Sequence, residues 1–497
     1  MSTFTPTSEQ VAALDLFRFG DNLAIEAGAG TGKTSTLQLL AETASTYVTK
    51  GRGQYLAFNK AIVVEAGQKM PANVTCSTAH SLAFRAVGRQ FSHRLNSGRM
   101  KSTQLAREIG IDPLVVTYGE QRKPMAAGYL AGHLMQAITR FCQSADREPT
   151  ARHFPYIDGI DPPDATGART FENNNRVAAH LEGHLAGVWR DLLDPDGRLP
   201  YKHEHYLKAW QLTDPRIHAD FVLFDEAQDA NPVMLAVVAA QEQYGTQLVF
   251  VGDSQQAIYE FTGAVNALAK VPSQQRVFLT QSFRFGSEIA DVANDVLSRI
   301  PGADLRLTGA GGASVVGPIA EPDVVLTRTN AAAVKAMLFE IKAGRRPHLV
   351  GGGGDVVQFA RAARDLKDGK PTYYRELACF ESWGEVQEYV ENDPAGSELK
   401  MLVGLMDDYG PNAICQALDR QVAEDRADVV FSTAHKSKGR EWNSVALGGD
   451  FPDPNKSESG TLSPGELRLI YVACTRARLE LDVEACPLFD EPGDERL

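Results

Sequence analysis

The stretch Ile25–Thr34 reads I-E-A-G-A-G-T-G-K-T, and its reading decides the fold. The apolar run Leu23, Ala24 and Ile25 predicts a buried strand, and Thr36-Leu37-Gln38-Leu39-Leu40-Ala41 predicts a helix. Strand, glycine-rich turn and helix in that order make a phosphate-binding loop, rather than a turn closed by a stray lysine. Gly28, Gly30 and Gly32 let the backbone curl so that its N–H groups face phosphate oxygens. The helix N-terminus behind the turn adds partial positive charge. Lys33 has the reach for β- and γ-phosphates, and Thr34 offers a hydroxyl to Mg²⁺. Ala27, Ala29, Thr31 and Ser35 complete the candidate nucleotide-binding loop.

Composition bounds what such a loop serves. At 497 residues the chain should hold more than one core, since single cores rarely grow past about 250–300 residues. Hydrophobic content of 43% and charged content of 23% are ordinary for a soluble globular protein. No uninterrupted apolar run approaches the ~18–20 residues of a membrane span, so no membrane partner is expected. The start, M-S-T-F-T-P-T-S-E-Q, lacks the basic and apolar regions of a signal peptide. Six scattered cysteines, with no C-x-x-C pair, argue against zinc, iron–sulfur or disulfide frameworks and suit a reducing cytoplasm. If the source is bacterial, nucleoid association is expected. The net charge of −13 does not announce a nucleic-acid binder; strand contacts would need a local basic groove, with salt-sensitive binding.

Outward from the loop, Thr7-Ser8-Glu9-Gln10 precedes the periodic run Val11, Leu14, Leu16 and Phe17, a capped helix. The Gln10 amide matches the donor and acceptor of an adenine edge; on its own it reads as a solvent-facing helix residue. Gln54–Lys60 predicts a second buried strand with a polar end, and a helix from Ala61. Val74–Ser77 predicts a third strand, ending at Thr78-Ala79-His80-Ser81. These βα units imply a parallel sheet with ligands at the carboxyl ends of its strands, where Phe58, Asn59, Lys60 and His80 fall. From about Gly88 to His218 the pattern is helical and irregular, an insertion into the first sheet.

Phe221–Phe224 is a continuous apolar strand that empties into Asp225-Glu226-Ala227-Gln228-Asp229. There Asp225 is placed to hold Mg²⁺, and Glu226 to orient and deprotonate the attacking water. Gln247–Val251 is a further strand, ending in G-D-S-Q-Q-A-I-Y-E-F. Tyr259 and Phe261 could offer ring faces to nucleobases. A second region starts near Phe278. Asp323–Asn330 predicts a strand with a polar end, followed by a helix over Ala331–Ile341. The tetraglycine Gly351–Gly354 is a turn and no second phosphate loop, because no G-K-[ST] follows. Pro371 to about Arg426 reads as helical and acidic, Val429–Ser432 as a strand, and Glu466–Arg476 as an amphipathic helix carrying arginines.

A-G-A-G-T-G-K-T, D-E-A-Q-D, V-G-D-S-Q-Q-A-I-Y, Q-S-F-R, T-A-H-K-S-K-G-R-E-W and L-I-Y-V-A-C-T-R-A follow one another across nearly the whole chain. The set resembles the UvrD/Rep-type superfamily 1 helicases and translocases. Y-L-A-F-N-K-A-I-V-V-E-A, Y-L-K-A-W-Q-L and H-K-S-K-G-R-E-W resemble its F-box DNA helicase branch, without room for an N-terminal F-box. The resemblance implies an α/β fold of two RecA-like P-loop domains with parallel sheets, each carrying a mainly helical insertion, and ATP in the cleft between them. The first domain would comprise 1–88 and 216–279, with an insertion at 89–215. The second would comprise 280–370 and 427–497, with a small accessory insertion at 371–426.

The resemblance also assigns roles. Gln10 would read adenine and Phe283 stack on it, where the family usually has Tyr. Arg284 and Arg476 would be arginine fingers, Gln256 would sense the γ-phosphate, and Glu441 would approach the ribose. Single-stranded DNA would meet Phe58, Asn59, Lys60, His80, Tyr259, Phe261, Arg328, Asn330 and His435. Phe261-Thr262 stands where the family has an aromatic–Arg pair, losing one cation. The implied activity is that of an ATP- and Mg²⁺-dependent DNA helicase or translocase, moving 3′→5′ on single-stranded DNA and coupling hydrolysis to strand separation at single/double-strand junctions. The alternatives are a translocase that strips bound proteins, as an anti-recombinase would, with weak unwinding, or a nucleotide-switched DNA-sensing subunit of a nuclease or other effector complex; a recombinase, nuclease or repair protein is the expected partner.

Overall fold

A computed structural model of the chain describes residues 5–490 except 48–50, 58–59, 96–99, 120, 163, 165–167, 259–267, 269–270, 272, 274, 373, 375, 378–379, 393–396 and 458–459. The expected strand contacts Phe58, Asn59, Tyr259 and Phe261 lie outside the described residues. The chain forms two compact units, Met1–Ala27 with Lys33–Leu279, and Gly28–Gly32 with Thr280–Leu497.

The strands of the first unit, in chain order, are β1 (Leu23–Ala27), β2 (Gly53–Ala57), β3 (Val74–Thr78), β4 (Leu114–Tyr118), β5 (Gln121–Met125), β6 (Phe221–Phe224), β7 (Gln247–Gly252) and β8 (Gln275–Leu279). Six of them build one parallel sheet in the order β3-β2-β6-β7-β1-β8. Every residue of β1, β2 and β6 is buried. Alternation explains why: Leu23, Ile25, Tyr55, Ala57, Phe221, Leu223, Val249 and Val251 enter one apolar cluster. Ala24, Leu56, Val222, Phe224, Leu248 and Phe250 enter the other. A strand buried on both faces reads as a continuous apolar run, which is how these strands look in the sequence.

Helix α1 (Ser8–Phe19) precedes β1, and α2 (Lys33–Tyr47) and α3 (Lys60–Lys69) follow β1 and β2. Thr7 and Gln10 close α1 with a reciprocal capping box, and Gly20 ends it at φ 89°. Both α2 and α3 begin on lysines at the mouths of strands, earlier than the residue patterns predict. Helix α4 (Ala79–Ala86) leaves β3 and leads through α5 (Ser92–Leu95) and α6 (Ser102–Ile109) into the insertion. The long members of the insertion are α7 (Ala127–Cys142), α8 (Glu172–Leu193) and α9 (His203–Leu212). An antiparallel hairpin, β4–β5, adds strand to a region that reads as helical. The Y-L-K-A-W-Q-L stretch lies in α9 and is mostly interior, with Tyr206, Leu207, Lys208, Trp210 and Gln211 all buried. Lys208 Nζ donates to the carbonyls of Ser144 and Asp146 and to Gln211 Oε1, and sits 4.5 Å from the Phe141 ring centroid. Helix α10 (Pro232–Ala239), capped by the Asn231 side chain, returns the chain to β7.

In the second unit, β9 (Gln281–Ser282) pairs with β10 (Thr308–Gly309). A second parallel sheet comprises β11 (Val315–Val316), β12 (Val324–Thr327), β13 (Pro347–Leu349), β14 (Val429–Thr433), β15 (Trp442–Leu447) and β16 (Ala477–Asp482), in the order β11-β16-β15-β12-β14-β13. Its helices are α11 (Ser287–Ser298), α12 (Asn330–Lys342), α13 (Gly354–Lys367), α14 (Trp383–Asn392), α15 (Ser397–Asp408), α16 (Pro411–Asp419), α17 (Ala434–Ser437) and α18 (Pro464–Cys474). Trp383, Val386, Met406 and Ile414 of the accessory helices share one cluster with Val334, Met337 and Phe359 of α12 and α13. Helix α18 is interior rather than amphipathic: Leu467 and every residue from Leu469 to Cys474 are buried. Two mostly parallel sheets, each flanked by helices, are the tandem RecA-like α/β architecture.

Candidate nucleotide site and strand-binding residues

The carboxyl ends of β1, β6 and β7 carry the chemistry of the first unit. After β1 the chain turns through Gly30 at φ 74° and Gly32 at φ 82°, backbone that only glycine adopts without strain. The Thr31 hydroxyl donates to the Gly28 carbonyl at 2.9 Å. Lys33 then opens α2, with half-buried Thr34 and Ser35 in its first turn.

At the end of β6, Asp225 is buried and Glu226 takes a left-handed conformation at φ 52°. A non-glycine residue held there stores strain, and such strain clusters at functional sites. It turns the Glu226 carboxylate onto Lys33, with Nζ 3.1 Å from Oε1. Asp225 accepts the Tyr55 hydroxyl at 2.6 Å and the Glu226 amide at 2.9 Å. The Gln228 amide donates to the other Glu226 oxygen, and its carbonyl accepts the Asp253 N–H. Gly252 admits that approach, because a Cβ there would stand 2.1 Å from Gln228 Oε1. Gln256 Nε2 donates to Asp253 at 2.8 Å, and Ser254 donates twice to Glu26.

The electrostatics follow from burying three carboxylates with one cation. Burial and then Glu226 push the Asp225 carboxyl up to about 6, against Lys33 and Tyr55. Burial alone would lower Lys33, but Glu226, Asp225 and Asp253 together hold it above its ordinary value. Glu26 is raised by burial and then by Asp253. Tyr55, Gln228, Asp253 and Glu26 were not singled out from the residue pattern. Gln228 and Asp253 stand inside quoted motifs, whereas Tyr55 is visible only once β2 is placed beside β6.

Gln10 is not solvent-facing. It is 1% exposed, accepts the Thr7 amide and donates to the Thr36 hydroxyl at 3.0 Å, which fixes the amide against α2. His80, on α4, packs edge-on against Tyr206 and His203 of α9 at 5.8 and 6.5 Å. Burial and then His203 lower its pKa, while Glu204 opposes. Lys60 is exposed at the start of α3.

In the second unit, Arg284, Glu441 and Arg476 come together. Arg284 Nε donates to Glu441 at 2.8 Å, and Nη1 to the Thr475 carbonyl at 2.9 Å. Arg476 is 2% exposed; its guanidinium donates to the Val472 and Arg440 carbonyls and to the Thr475 hydroxyl. Phe283 leaves its ring half exposed. At the end of β12, Arg328 grips Glu466 with both Nε and Nη2, at 2.9 and 2.8 Å. Asn330 accepts Lys436 Nζ at 3.0 Å. Burial and then Arg328 lower the pKa of His435, with Glu466 opposing.

Among the described residues there is no group of three or more His, Cys, Asp or Glu able to hold a metal ion. The Thr34 hydroxyl and the buried Asp225 carboxylate are hard oxygen donors. They suit Mg²⁺, which is held by one or two protein groups with phosphate oxygens and waters completing the octahedron.

Comparison with known proteins agrees with this geometry. Residues 10–262, just over half of the chain, match the family model of an AAA domain, and residues 375–486 match the UvrD-like helicase C-terminal domain. The chain is 28% identical to F-box DNA helicase protein 1 of Schizosaccharomyces pombe, over 96% of this chain and 57% of that protein. It is 29% identical to F-box DNA helicase 1 of Gallus gallus, over 92% of this chain and 47% of that one. ATP-dependent DNA helicase UvrD2 of Mycobacterium tuberculosis is 26% identical over 52% of this chain and 46% of its own length. The chain thus spans about half the length of the curated relatives it matches. With a P-loop, a strand-end Asp-Glu pair and these two matched domains in one sequence, the chain belongs to the UvrD/Rep-type superfamily 1 DNA helicases.

Proposed function

We propose that the chain hydrolyses ATP and uses the cycle to move 3′→5′ along single-stranded DNA, separating strands at single/double-strand junctions. The observation that carries the reading is the Lys33–Glu226 pair beside buried Asp225. Lys33 exchanges Glu226 for the β- and γ-phosphates when nucleotide enters. Glu226, released but still held by Gln228, then orients a water and takes its proton. Thr34 and Asp225 would hold Mg²⁺, which supplies charge neutralisation on the phosphate oxygens. Gln256, through Asp253 and Gln228, shares one hydrogen-bonded chain with Glu226, which suits a phosphate sensor. Arg284 and Arg476 act on charge developing on the transferred phosphoryl group.

On this reading Lys60, His80, Arg328, Asn330 and His435 meet the strand. A second reading has its own support: the accessory helices α14–α16 merge into the core of α12 and α13. Such a small accessory region favours a translocase that clears bound proteins with weak unwinding, working beside a recombinase, nuclease or repair partner. A reducing compartment, nucleoid-associated in a bacterium, fits the five described cysteines, all free. Among the described residues no helix is long and apolar enough to cross a membrane.

The test is ATP hydrolysis with and without single-stranded DNA, run beside strand displacement on 3′- and 5′-tailed duplexes. Stimulation with displacement of 3′-tailed duplex is the expected result. Stimulation without displacement selects the protein-clearing translocase. Hydrolysis indifferent to DNA overturns both.

A further inference from the structure

Helix α18 joins two groups of functional residues within the second unit, and the residue that fastens its first turn has no assigned role. Ser463 caps α18 by accepting the Glu466 amide, and Pro464 takes the first helical position. In such an S-x-x-E sequence the glutamate ordinarily reaches back to the cap's own N–H. Here the Glu466 carboxylate grips Arg328 instead, accepting Nε at both oxygens and Nη2 at one. Asp450 fixes the end of β12 on which Arg328 stands, accepting the Arg328 and Thr329 amides. At the other end of α18, its last carbonyls are held by the two ATP-side arginines: Arg476 takes Val472, and Arg284 takes Thr475. Cations there complement the helix dipole, as Glu466 does at the start. The eleven residues of α18, buried from Leu469 to Cys474, span about 16 Å, a rod too stiff to move one end alone.

We propose that Glu466 is a positioning residue that couples strand occupancy to the arginines of the ATP site through α18. This rests on the reading of the chain as a DNA-stimulated ATPase. Glu466 and a strand phosphate compete for one guanidinium. Both present paired oxygens to the same planar fork, so a phosphate arriving at Arg328 loosens the first turn of α18. The helix then shifts as a body, and the carbonyls that hold Arg284 and Arg476 shift with it, releasing both for phosphate.

The experiment uses the full chain and Glu466→Gln, with fluorescent oligothymidine binding and ATP turnover measured on the same preparations. Removing the competitor should tighten oligothymidine binding about 3–5-fold at low salt, the scale of a half-exposed bidentate ion pair. The rise in kcat produced by saturating oligothymidine should shrink at least about 3-fold, since a 1.4 kcal/mol loss of coupling would already be tenfold. Glu466→Asp, which keeps the carboxylate, should restore part of that rise. In an Arg328→Gln background, Glu466→Gln should leave oligothymidine affinity where Arg328→Gln set it. A purely structural role predicts weaker, not tighter, binding together with a lower melting temperature, and that outcome overturns the proposal. Unchanged affinity and unchanged stimulation in Glu466→Gln also overturn it, while the ATPase reading survives. A wild-type chain whose turnover ignores oligothymidine fails earlier, and takes both readings down.

Discussion

Lys33 and Glu226 face each other at 3.1 Å, and the proposed hydrolysis requires that they separate. Lys33→Ala should abolish hydrolysis, whereas Glu226→Gln should bind ATP and fail to turn it over. Equilibrium binding of a fluorescent ATP analogue beside phosphate release checks both, and normal turnover in Glu226→Gln would remove this residue from the role of base. Asp225 gives a pH prediction. Its carboxyl is raised from 3.8 to about 6, first by burial and then by Glu226. A carboxyl raised in the fold binds protons more readily there than in the unfolded chain, so its ionisation costs stability as pH rises through that window. Asp225→Asn should therefore melt above wild type at about pH 8, lose that advantage progressively as pH falls from about 6 toward 3.8, and hydrolyse ATP at least ~10²-fold more slowly. An advantage independent of pH would show that the buried charge is not its source. At this scale Lys33, Thr34, Asp225 and Glu226 are legible because each sits in a short motif whose spacing the chemistry dictates. Tyr55 and Glu466 are not, because each acquires its partner from a segment 170 or 138 residues away.

Among the elements, α18 and α9 make the sharpest predictions. If both act on transition-state charge as proposed, Arg284→Ala and Arg476→Ala should each lower kcat by at least ~10²-fold. They should differ in stability: Arg476 is 2% exposed and ties the end of α18 to Arg440, so its loss should also lower the melting temperature. Wild-type turnover in either variant would exclude it from the phosphate. In α9, Lys208 satisfies two carbonyls beyond the end of α7, and burial, outweighing nearby charges, pulls its pKa down to about 8. Lys208→Ala leaves those carbonyls without their donor and should cost about 2–4 kcal/mol in the insertion. Limited proteolysis should then cut between α7 and α9 more readily than in wild type; equal resistance would refute the role. Strands β1, β2, β6, β7, β12 and β14 are legible as apolar runs because both faces are covered. Strands β5 and β16 are not, since Q-R-K-P-M and A-R-L-E-L-D expose most of their length and carry no such run. Helix α18 misleads in the opposite sense. Its arginine and glutamate suggest an outer face, yet Glu466 is spoken for by Arg328, and Arg476 stands past the helix end.

For the whole molecule, the first parallel sheet carries a P-loop and acid pair at its carboxyl ends, and the second unit gathers Arg284, Glu441 and Arg476 where β15 and β16 begin. The doubling was legible, because each set of motifs recurs at strand ends in chain order. The merging of α14–α16 into the core of α12 and α13 was not, since a helical, acidic composition says nothing about which core receives its apolar face. The central claim is that this architecture converts ATP into directed movement on a single strand. ATP-driven displacement of streptavidin from end-biotinylated oligothymidine measures that without requiring a duplex to open. The account predicts rapid release from the 5′-biotinylated end, slow release from the 3′ end, and none with Glu226→Gln. ATP hydrolysed with equal release from both ends, or with none, would contradict it.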